Sequence, residues 1–393
     1  MGPEIGLILP SEPADGKSTG GRGALFAGWS AFLALGFRPM YLLAGAYAAL
    51  GVPLWALQYL GWLPGADPLW HAHEMLFGYA FAVIAGFLLT AVRAWTGMPT
   101  PTGAALAAIA ALWLGARVLA LFSLPAAAAA DAAFALALAW GIGRPLIASR
   151  NRNWFFILLM LALGTASAAF NAWPRQALSV GLDLVLLVMV VMGGRVIPGF
   201  TNNAIPAAGA RRVPALETAC IASVLLLLVF DILDSNGAAT VAVAAALLHA
   251  ARLALWAPWK TRGRPILWIL HLSYAWIVVH LALRGLAAFE HVPVALATHA
   301  LTVGAIGGLT LGMMTRTARG HTARPLAAGR AETAAYVLVQ LAAAVRVFLP
   351  LLLPSIYLTA VMLSAVLWSA AFAVFVVTYY PILSRPRLDG QPG

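Results

Sequence analysis

The chain has little charge and almost no cysteine, and its apolar content is high. Of its 393 residues only 9% are Asp, Glu, Lys or Arg, whereas 62% are hydrophobic, and the mean hydropathy is +0.89. Soluble domains carry about 25% charged and about 45–50% apolar residues. These values exclude a soluble globular enzyme, a disordered chain and a nucleic-acid-binding protein. They are typical of a protein that crosses the lipid bilayer many times.

The single cysteine, Cys220, excludes an intramolecular disulfide and a thiolate-bound metal cluster. Its neighbours are apolar, so we expect a buried structural thiol. The same scarcity of cysteine excludes a Cys-x-x-Cys-His haem attachment motif, and any haem is therefore expected to be held without covalent bonds. The first residues also lack the basic-then-apolar pattern of a cleaved signal peptide.

Long apolar runs occupy most of the sequence. Crossing a bilayer requires about 20 residues, and twelve runs of that length lie near residues 39–61, 70–92, 103–123, 126–148, 154–173, 177–197, 214–234, 238–257, 265–287, 293–315, 333–351 and 355–380. We therefore predict an all-α membrane protein with twelve transmembrane helices over residues 38–383. Residues 1–37, with a candidate interfacial stretch at 25–35, and residues 384–393 are predicted as tails.

The distribution of charge predicts the orientation of these helices. Basic residues gather in the even-numbered connections and the tails: Lys17, Arg22, Arg38, Arg93, Arg144, Arg150, Arg152, Arg195, Arg211, Arg212, Lys260, Arg262, Arg264, Arg316, Arg319, Arg324, Arg330, Arg385 and Arg387. The odd-numbered connections hold mostly acids: Asp67, Asp131, Asp231, Asp234 and Glu290. Basic loops stay on the cytoplasmic side, so we expect both termini in the cytoplasm. Arg175 and Arg284 are the exceptions.

Similar segments recur along the chain. The first, fifth and ninth spans each begin after an arginine, as Arg38-Pro-Met-Tyr-Leu-Leu, Arg152-Asn-Trp-Phe-Phe-Ile and Arg264-Pro-Ile-Leu-Trp-Ile. The second, sixth and tenth spans end in an arginine followed by a predicted turn that contains Gly and Thr. His73, Gly78 and Gly86 also recur as His299, Gly304 and Gly312. We predict three parallel four-helix units, over residues 38–150, 151–262 and 263–383.

Ionisable side chains inside the predicted spans are the candidate functional residues, because placing them in a bilayer is costly. His71 and Glu74 are three residues apart and share one face of the second span, whereas His73 points to the opposite side. The other candidates lie in other spans: Arg117, Asp183, His249, His271, His280, Arg284, His299 and Arg346.

Histidines in such positions are typical ligands of haem iron, copper and zinc. Haem requires axial histidines on facing helices, small residues beside its flat ring and cations for its propionates. The tenth span offers His299 with Gly304, Gly308 and Gly312, although this glycine spacing is also common at helix–helix contacts. The candidate cofactor-binding residues are His71, His73, His249, His271, His299, Arg117, Arg284 and Arg346. The candidate metal ligands are His71, His73, His280 and His299.

Several motifs together resemble the NnrS family of bacterial membrane proteins. They are Gly36-Phe-Arg-Pro, Trp70-His-Ala-His-Glu-Met-Leu-Phe-Gly-Tyr, Gly194-Arg-Val-Ile-Pro-Gly-Phe-Thr, His299-Ala-Leu-Thr-Val-Gly-Ala-Ile-Gly-Gly, Met313-Met-Thr-Arg and Gly320-His-Thr. The resemblance runs from about residue 23, and Ala323 replaces the glycine that usually follows the last motif. It implies a bacterial inner-membrane protein with b-type haem, copper and a link to nitric oxide metabolism, denitrification and nitrosative stress. It places haem near His71, His73 and His299.

The predicted arrangement also resembles that of haem–copper oxidases and nitric oxide reductases, which carry haem on histidines of helices 2 and 10. This chain departs from them because its sixth and seventh spans have no histidine. The ordinary binuclear centre is therefore absent. A second metal would have to use the eighth span, the ninth span or the second histidine of the second span.

Our first hypothesis is a redox protein that binds nitric oxide at one or two haems and reduces it, with copper as a further cofactor. Glu74 and His280 are the candidate catalytic residues, and Asp183 is a second candidate proton donor. Electrons would come from quinol or a redox protein, because the chain has no flavin or cytochrome c motif. The alternatives are a transporter or metal-delivery protein that uses buried His and Arg, and a non-catalytic nitric oxide sensor or scavenger.

Overall fold

The structure consists of helices and short connections. This computed structural model describes residues 28–64, 67–235 and 237–391, and these ranges contain no β-strand. The predicted N-terminal tail, residues 1–37, therefore lies largely outside the described residues. Within it, residues 28–32 are helical.

After this short helical segment, the described part of the chain folds into twelve long helices in succession, which we number α1 to α12. They are α1 Phe37–Tyr59, α2 Pro68–Thr96, α3 Gly103–Leu119, α4 Leu124–Ala148, α5 Arg152–Ala169, α6 Pro174–Ala204, α7 Pro214–Ile232, α8 Ala238–Leu255, α9 Pro265–Ala288, α10 Val294–His321, α11 Arg330–Leu352 and α12 Pro354–Leu383. Eleven are long and apolar enough to cross a membrane, and α3 is shorter, with 17 residues. The chain is thus a multi-pass membrane protein, and the count of twelve crossings stays a prediction.

Local residues determine where α2 begins and ends. The Asp67 side chain accepts a hydrogen bond from the Leu69 N–H at 2.8 Å, and Pro68 follows as the first helical residue. Both features favour a helix N-terminus, because proline needs no hydrogen-bond partner there. At the other end Gly97 adopts the left-handed conformation, with φ of 69°. Glycine reaches this conformation at little cost, so α2 stops where the sequence predicts.

The predicted turns after Arg195 and Arg316 are wrong, because α6 and α10 continue past both residues. Gly199 and Gly320 lie in these segments but do not adopt positive φ. A glycine ends a helix only when its backbone leaves the right-handed region, and here it does not. In two of the three segments, the arginine and the glycine that follows it therefore lie within a helix that continues past them.

α2 and α10 share an unusual local geometry. π-helical hydrogen bonding runs over Glu74–Ala80, directly after His73, and over Ala300–Gly307, directly after His299. Such segments are rare and occur frequently at functional sites. Their matching positions agree with the predicted likeness of the second and tenth spans. The arrangement of three four-helix repeats stays a prediction.

The first and last helices are neighbours, so the bundle closes on itself. The Trp368 indole N–H of α12 donates to the Ala48 carbonyl of α1 at 3.0 Å, and the Ser369 hydroxyl donates to the Ala49 carbonyl at 2.5 Å. Bonds of this kind satisfy polar groups that would otherwise be exposed to hydrocarbon. Together with α2, α10 and α11, these two helices surround one shared interior space.

Candidate functional site

His71 of α2 and His299 of α10 line one pocket, which we call the histidine pocket. Trp55 and Arg346 also line it. An adjoining cavity includes the same four residues and adds Tyr357. Two imidazoles, an indole and a guanidinium from four different helices thus share one space between helices.

The His71 imidazole is positioned by stacking. Its ring centroid lies 4.1 Å from that of Trp55, with 20° between the ring planes. Its Nδ1 atom is buried and has no hydrogen-bond partner among the described residues. An unsatisfied buried polar atom costs about 1–3 kcal/mol. A ligand that engages this imidazole would remove that cost.

His299 has the hydrogen-bonding pattern of a metal ligand. Its Nδ1 lies 2.6 Å from the Ala295 carbonyl oxygen, one turn earlier in α10. Because a carbonyl oxygen only accepts, Nδ1 carries the hydrogen and Nε2 presents a lone pair. Metal-bound histidines are usually oriented in this way by their second nitrogen.

Arg346 supplies a positive charge to the same pocket. One of its terminal nitrogens contacts the Tyr357 hydroxyl at 3.3 Å, and the other is buried without a partner among the described residues. Its guanidinium therefore retains an unused donor beside two imidazoles. An anionic group of a ligand, such as a carboxylate, would satisfy it.

His73 lies on the opposite side of α2, in a cluster that we call the Arg117 network. The network consists of six side chains from α1 to α5: Tyr47, His73, Glu74, Arg117, Asp131 and Ser167. Arg117 donates to the Glu74 carboxylate at 2.7 Å and also to Asp131, and Tyr47 donates to Glu74. His73 contacts Glu74 through Nδ1 at 2.9 Å and Ser167 through Nε2 at 3.0 Å. Both of its ring nitrogens are thus engaged within the protein.

The repeat pattern pairs His299 with His73, but the structure places His71 in the pocket with His299. His73 is fully buried and does not line the pocket. The reason is the direction of the two side chains, which leave α2 on opposite faces. Glu74 follows His73 into the Arg117 network and also does not line the pocket.

Two acids that the sequence assigns to loops lie in helices instead, one of them buried and the other partly buried. Asp131 lies in α4 with 0% of its surface exposed, and Asp231 belongs to α7. Arg284 of α9 contacts Asp231 at 2.6 Å and Asp183 of α6 at 2.8 Å. These contacts explain why Arg284 departs from the loop pattern of charges. Arg117 and Arg284 are therefore occupied by carboxylates, and Arg346 is the predicted arginine that reaches the pocket.

The remaining predicted histidines lie apart from the pocket. His249 contacts the Tyr274 hydroxyl at 2.6 Å, and both ring nitrogens of His271 have partners, the Leu267 carbonyl at 3.1 Å and the Thr201 hydroxyl at 3.3 Å. His280 donates to the Ala297 carbonyl at 2.8 Å, and its Nε2 is buried without a partner among the described residues. Glu74 and His280 are not brought together.

The glycines of α10 form a helix contact and do not line the pocket. A Cβ atom would lie 2.3 Å from Trp276 at Gly304, 2.0 Å from Ser273 at Gly308 and 2.9 Å from Leu270 at Gly312. All three neighbours belong to α9. The expectation of a small-residue wall for a macrocycle is wrong here, and the alternative of helix packing is correct.

Four contributors to these sites carry no signal in the sequence: Tyr47, Trp55, Ser167 and Tyr357. Aromatic and small polar residues are common in membrane helices, so neither spacing nor charge distinguishes these four. Their roles depend on which helices are neighbours. Asp131 was detectable as an acid seven residues inside an alanine-rich helix.

Residues 31–387 match the family model described as NnrS protein. This range includes both histidines of the pocket. No curated protein matches the chain. The match covers nearly the whole sequence, including all twelve helices, and agrees with the motifs noted above. The chain belongs to the NnrS family of nitric-oxide-related membrane proteins.

Proposed function

We propose that this protein binds b-type haem in the histidine pocket and there binds nitric oxide and reduces it. The observation that carries the proposal is a pocket between helices with His71 and His299, the latter anchored through Nδ1 with Nε2 available. Family membership supports the link to nitric oxide. His71 and His299 are the residues that would hold the haem, and Arg346 would pair with one of its carboxylates.

The chain itself would prepare the pocket for this chemistry. Trp55 holds the His71 ring in one orientation, and Ala295 does so for His299. Apolar side chains from α10 and α12, including Val303 and Val361, exclude water. When bound, haem supplies an iron that coordinates nitric oxide and transfers electrons to it.

The Arg117 network would hold the protons that reduction of nitric oxide consumes. Glu74 lies one helical turn from His71, and its carboxylate is bonded to Tyr47, His73 and Arg117. One arginine balances two carboxylates in this cluster. The network thus places ionisable groups about one helical turn from His71.

The described residues do not form a copper site of ordinary composition. No group of three or more His, Cys, Asp or Glu side chains in the described ranges is placed to hold a metal ion. His280 offers one buried imidazole nitrogen without companions. We therefore assign no step to copper.

The buried ion pairs favour a cofactor protein over a transporter. Arg117 and Arg284 each contact two carboxylates within closed clusters. Both arginines are thus satisfied within the protein and are not open to a passing substrate. These arginines instead connect neighbouring helices.

The test is an absorption spectrum of the purified protein after supply of haem. We expect a Soret band that shifts when nitric oxide is added, followed by consumption of nitric oxide when a reductant is present. A protein that takes up no haem would contradict the proposal. Binding of nitric oxide without consumption would support the sensor or scavenger alternative instead.

We further propose that the protein lies in the bacterial inner membrane with both termini in the cytoplasm. The concentration of Arg and Lys in the even-numbered connections supports this orientation.

A further inference from the structure

The histidine pocket lies close to one end of the bundle. His71 is three residues beyond Pro68, where α2 begins. His299 is five residues beyond Val294, where α10 begins. At 1.5 Å per residue, the two histidines lie about 5 and about 8 Å along their helices from that end, whereas the opposite ends of α2 and α10 are about 30 Å or more away. In the proposed orientation the near end faces away from the cytoplasm, and we call it the outer end.

The cavity that adjoins the pocket reaches the surface at the outer end. It is lined by both histidines and also by Tyr59, Pro68 and Val294, which stand at the outer ends of α1, α2 and α10. Val294 is 67% exposed and Tyr59 is 37% exposed. We call these three residues the mouth. Because one cavity extends from the imidazoles to exposed residues, the histidine pocket is open at its outer end.

The mouth borders water and not the hydrocarbon of the bilayer. Asp67 directly precedes Pro68 in the chain, and the exposed residues Glu290 and His291 lie in the connection that leads to Val294. Charged side chains are costly to place in hydrocarbon, so these connections lie in water or among lipid head groups. A molecule at the mouth is therefore within reach of the outer aqueous phase.

Two aromatic side chains close the pocket on the side away from the mouth. Tyr79 and Trp368 line it further along α2 and α12 than the other lining residues, and they are 1% and 4% exposed. Their ring centroids lie 5.7 Å apart. The Tyr79 hydroxyl is hydrogen-bonded to Thr310 at 2.6 Å, and the Trp368 indole N–H donates to the Ala48 carbonyl at 3.0 Å. These contacts form a floor beneath the pocket.

The polar groups next to the mouth select a ligand that carries negative charge. Arg346 and Tyr357 both line the adjoining cavity, near the outer ends of α11 and α12. Arg346 is 5% exposed and has a buried nitrogen without a partner among the described residues. A carboxylate would satisfy this donor. Because an anion crosses hydrocarbon only at high cost, such a ligand requires an entry path that borders water.

We propose that the histidine pocket receives its ligand from the outer aqueous phase, through the mouth at Tyr59, Pro68 and Val294. The ligand is a flat molecule that bears carboxylates. The proposal rests on the proposed function, because haem is the molecule of this kind named there, and on the proposed orientation, which identifies the outer compartment. A ligand from the cytoplasm would meet the floor at Tyr79 and Trp368, and a ligand from the lipid would leave the charge of Arg346 unused.

The test measures labelling of single cysteines by a charged, membrane-impermeant methanethiosulfonate added to intact spheroplasts. Cys220 is 0% exposed, so the wild type should remain unlabelled. Thr302→Cys places a thiol in the wall of both the pocket and the adjoining cavity, and Thr298→Cys places one nearer the mouth. Both should react from outside.

Two control variants define the sides of the membrane. Trp62→Cys, exposed in the connection between α1 and α2, should react from outside. Leu326→Cys, exposed in the connection between α10 and α11, should react only after the membrane has been opened. Hemin added from outside should abolish labelling of Thr302→Cys and leave labelling of Trp62→Cys unchanged.

Narrowing the mouth provides a second measurement. Val294→Trp, introduced into the Thr302→Cys protein, adds an indole at the mouth and should slow labelling of the thiol behind it. The matched control is Leu247→Trp at an exposed position of α8, which should leave the labelling rate unchanged. Equal rates in these two proteins would overturn the proposal.

The labelling pattern also separates this proposal from the haem assignment. If Thr298→Cys and Thr302→Cys react only after the membrane has been opened, as Leu326→Cys does, or only with an uncharged lipid-soluble maleimide, the entry path is wrong even in a protein that binds haem. Labelling of both thiols from outside in a protein that takes up no haem would instead support the entry path and contradict the haem assignment.

Discussion

Two histidines of α2, separated by one residue, have unlike surroundings. His71 stacks on Trp55 in the histidine pocket, whereas His73 is hydrogen-bonded on both sides in the Arg117 network. We expect His71→Ala to lose haem and His73→Ala to keep its Soret band while unfolding at a lower temperature. The measurements are haem content per protein and thermal unfolding in detergent. Loss of haem from His73→Ala alone would show that the two roles are reversed.

His299 provides the second test at this scale. Removal of an axial imidazole takes away the main bond between protein and iron, whereas a packing histidine costs about 1–3 kcal/mol and leaves a cofactor in place. We expect His299→Ala to insert normally and to lose haem or show a five-coordinate spectrum. His321→Ala is the control, because His321 packs against Phe37 at the end of α10. An unchanged haem spectrum in His299→Ala would show that the histidine pocket is not the haem site.

Arg117 should be critical for stability. Its side chain is 3% exposed and contacts the carboxylates of both Glu74 and Asp131. Removing one partner from a buried ion pair costs about 3–5 kcal/mol, because the remaining charges are left without compensation. We expect Arg117→Met to unfold at a clearly lower temperature, and exposed Arg144→Met to match the wild type within about 0.5 kcal/mol. Equal stability of the two variants would mean that the network contributes nothing.

At the scale of helices, close packing of α10 on α9 depends on glycine. A Cβ at Gly304 would lie 2.3 Å from Trp276, whereas a Cβ at Gly115 of α3 has no neighbour within 4 Å. We expect Gly304→Ala to lower stability by about 1–3 kcal/mol through overpacking. Gly115→Ala should be neutral or stabilising by up to about 1 kcal/mol, since alanine favours helix. Thermal unfolding of both variants tests the contact, and a neutral Gly304→Ala would contradict it.

The positions of the helices were predictable, but their contacts were not. Apolar runs reveal a membrane helix because backbone hydrogen bonds must be satisfied inside the bilayer. The spacing of His71 and His73 likewise predicts opposite directions. Which of them meets His299 depends on the rotation of α2 against α10, which a single sequence does not encode in any periodic pattern. For the same reason, the sequence does not reveal that the glycines of α10 face α9, where Gly304 packs against Trp276.

At the scale of the whole molecule, charge predicts topology. We expect a reporter fused after Arg387 to be cytoplasmic and a reporter inserted near Asp67 to be periplasmic, because the basic connections alternate with acidic ones. Alkaline phosphatase and fluorescent protein fusions distinguish the two sides. Reporters on the same side would show that the number of crossings before Asp67 or after it is wrong.

Composition alone identifies the class of fold, because a chain with 9% charged residues cannot cover a soluble surface. The loop assignments of Asp131 and Asp231 failed for a related reason. Counting charges by span treats every acid near a predicted helix end as exposed. Each of these acids instead has an arginine partner on another helix, Arg117 or Arg284. Ion pairs between distant segments cannot be found by counting.

The closure of the bundle also constrains how the protein is made. Trp368 and Ser369, near the end of the chain, hold α12 against α1, and the histidine pocket takes walls from both helices. Its walls are therefore incomplete until the final helix has entered the membrane. If haem occupies the histidine pocket as proposed, its loading would follow insertion of α12, and a ribosome-stalled chain that lacks α12 would insert without acquiring the cofactor.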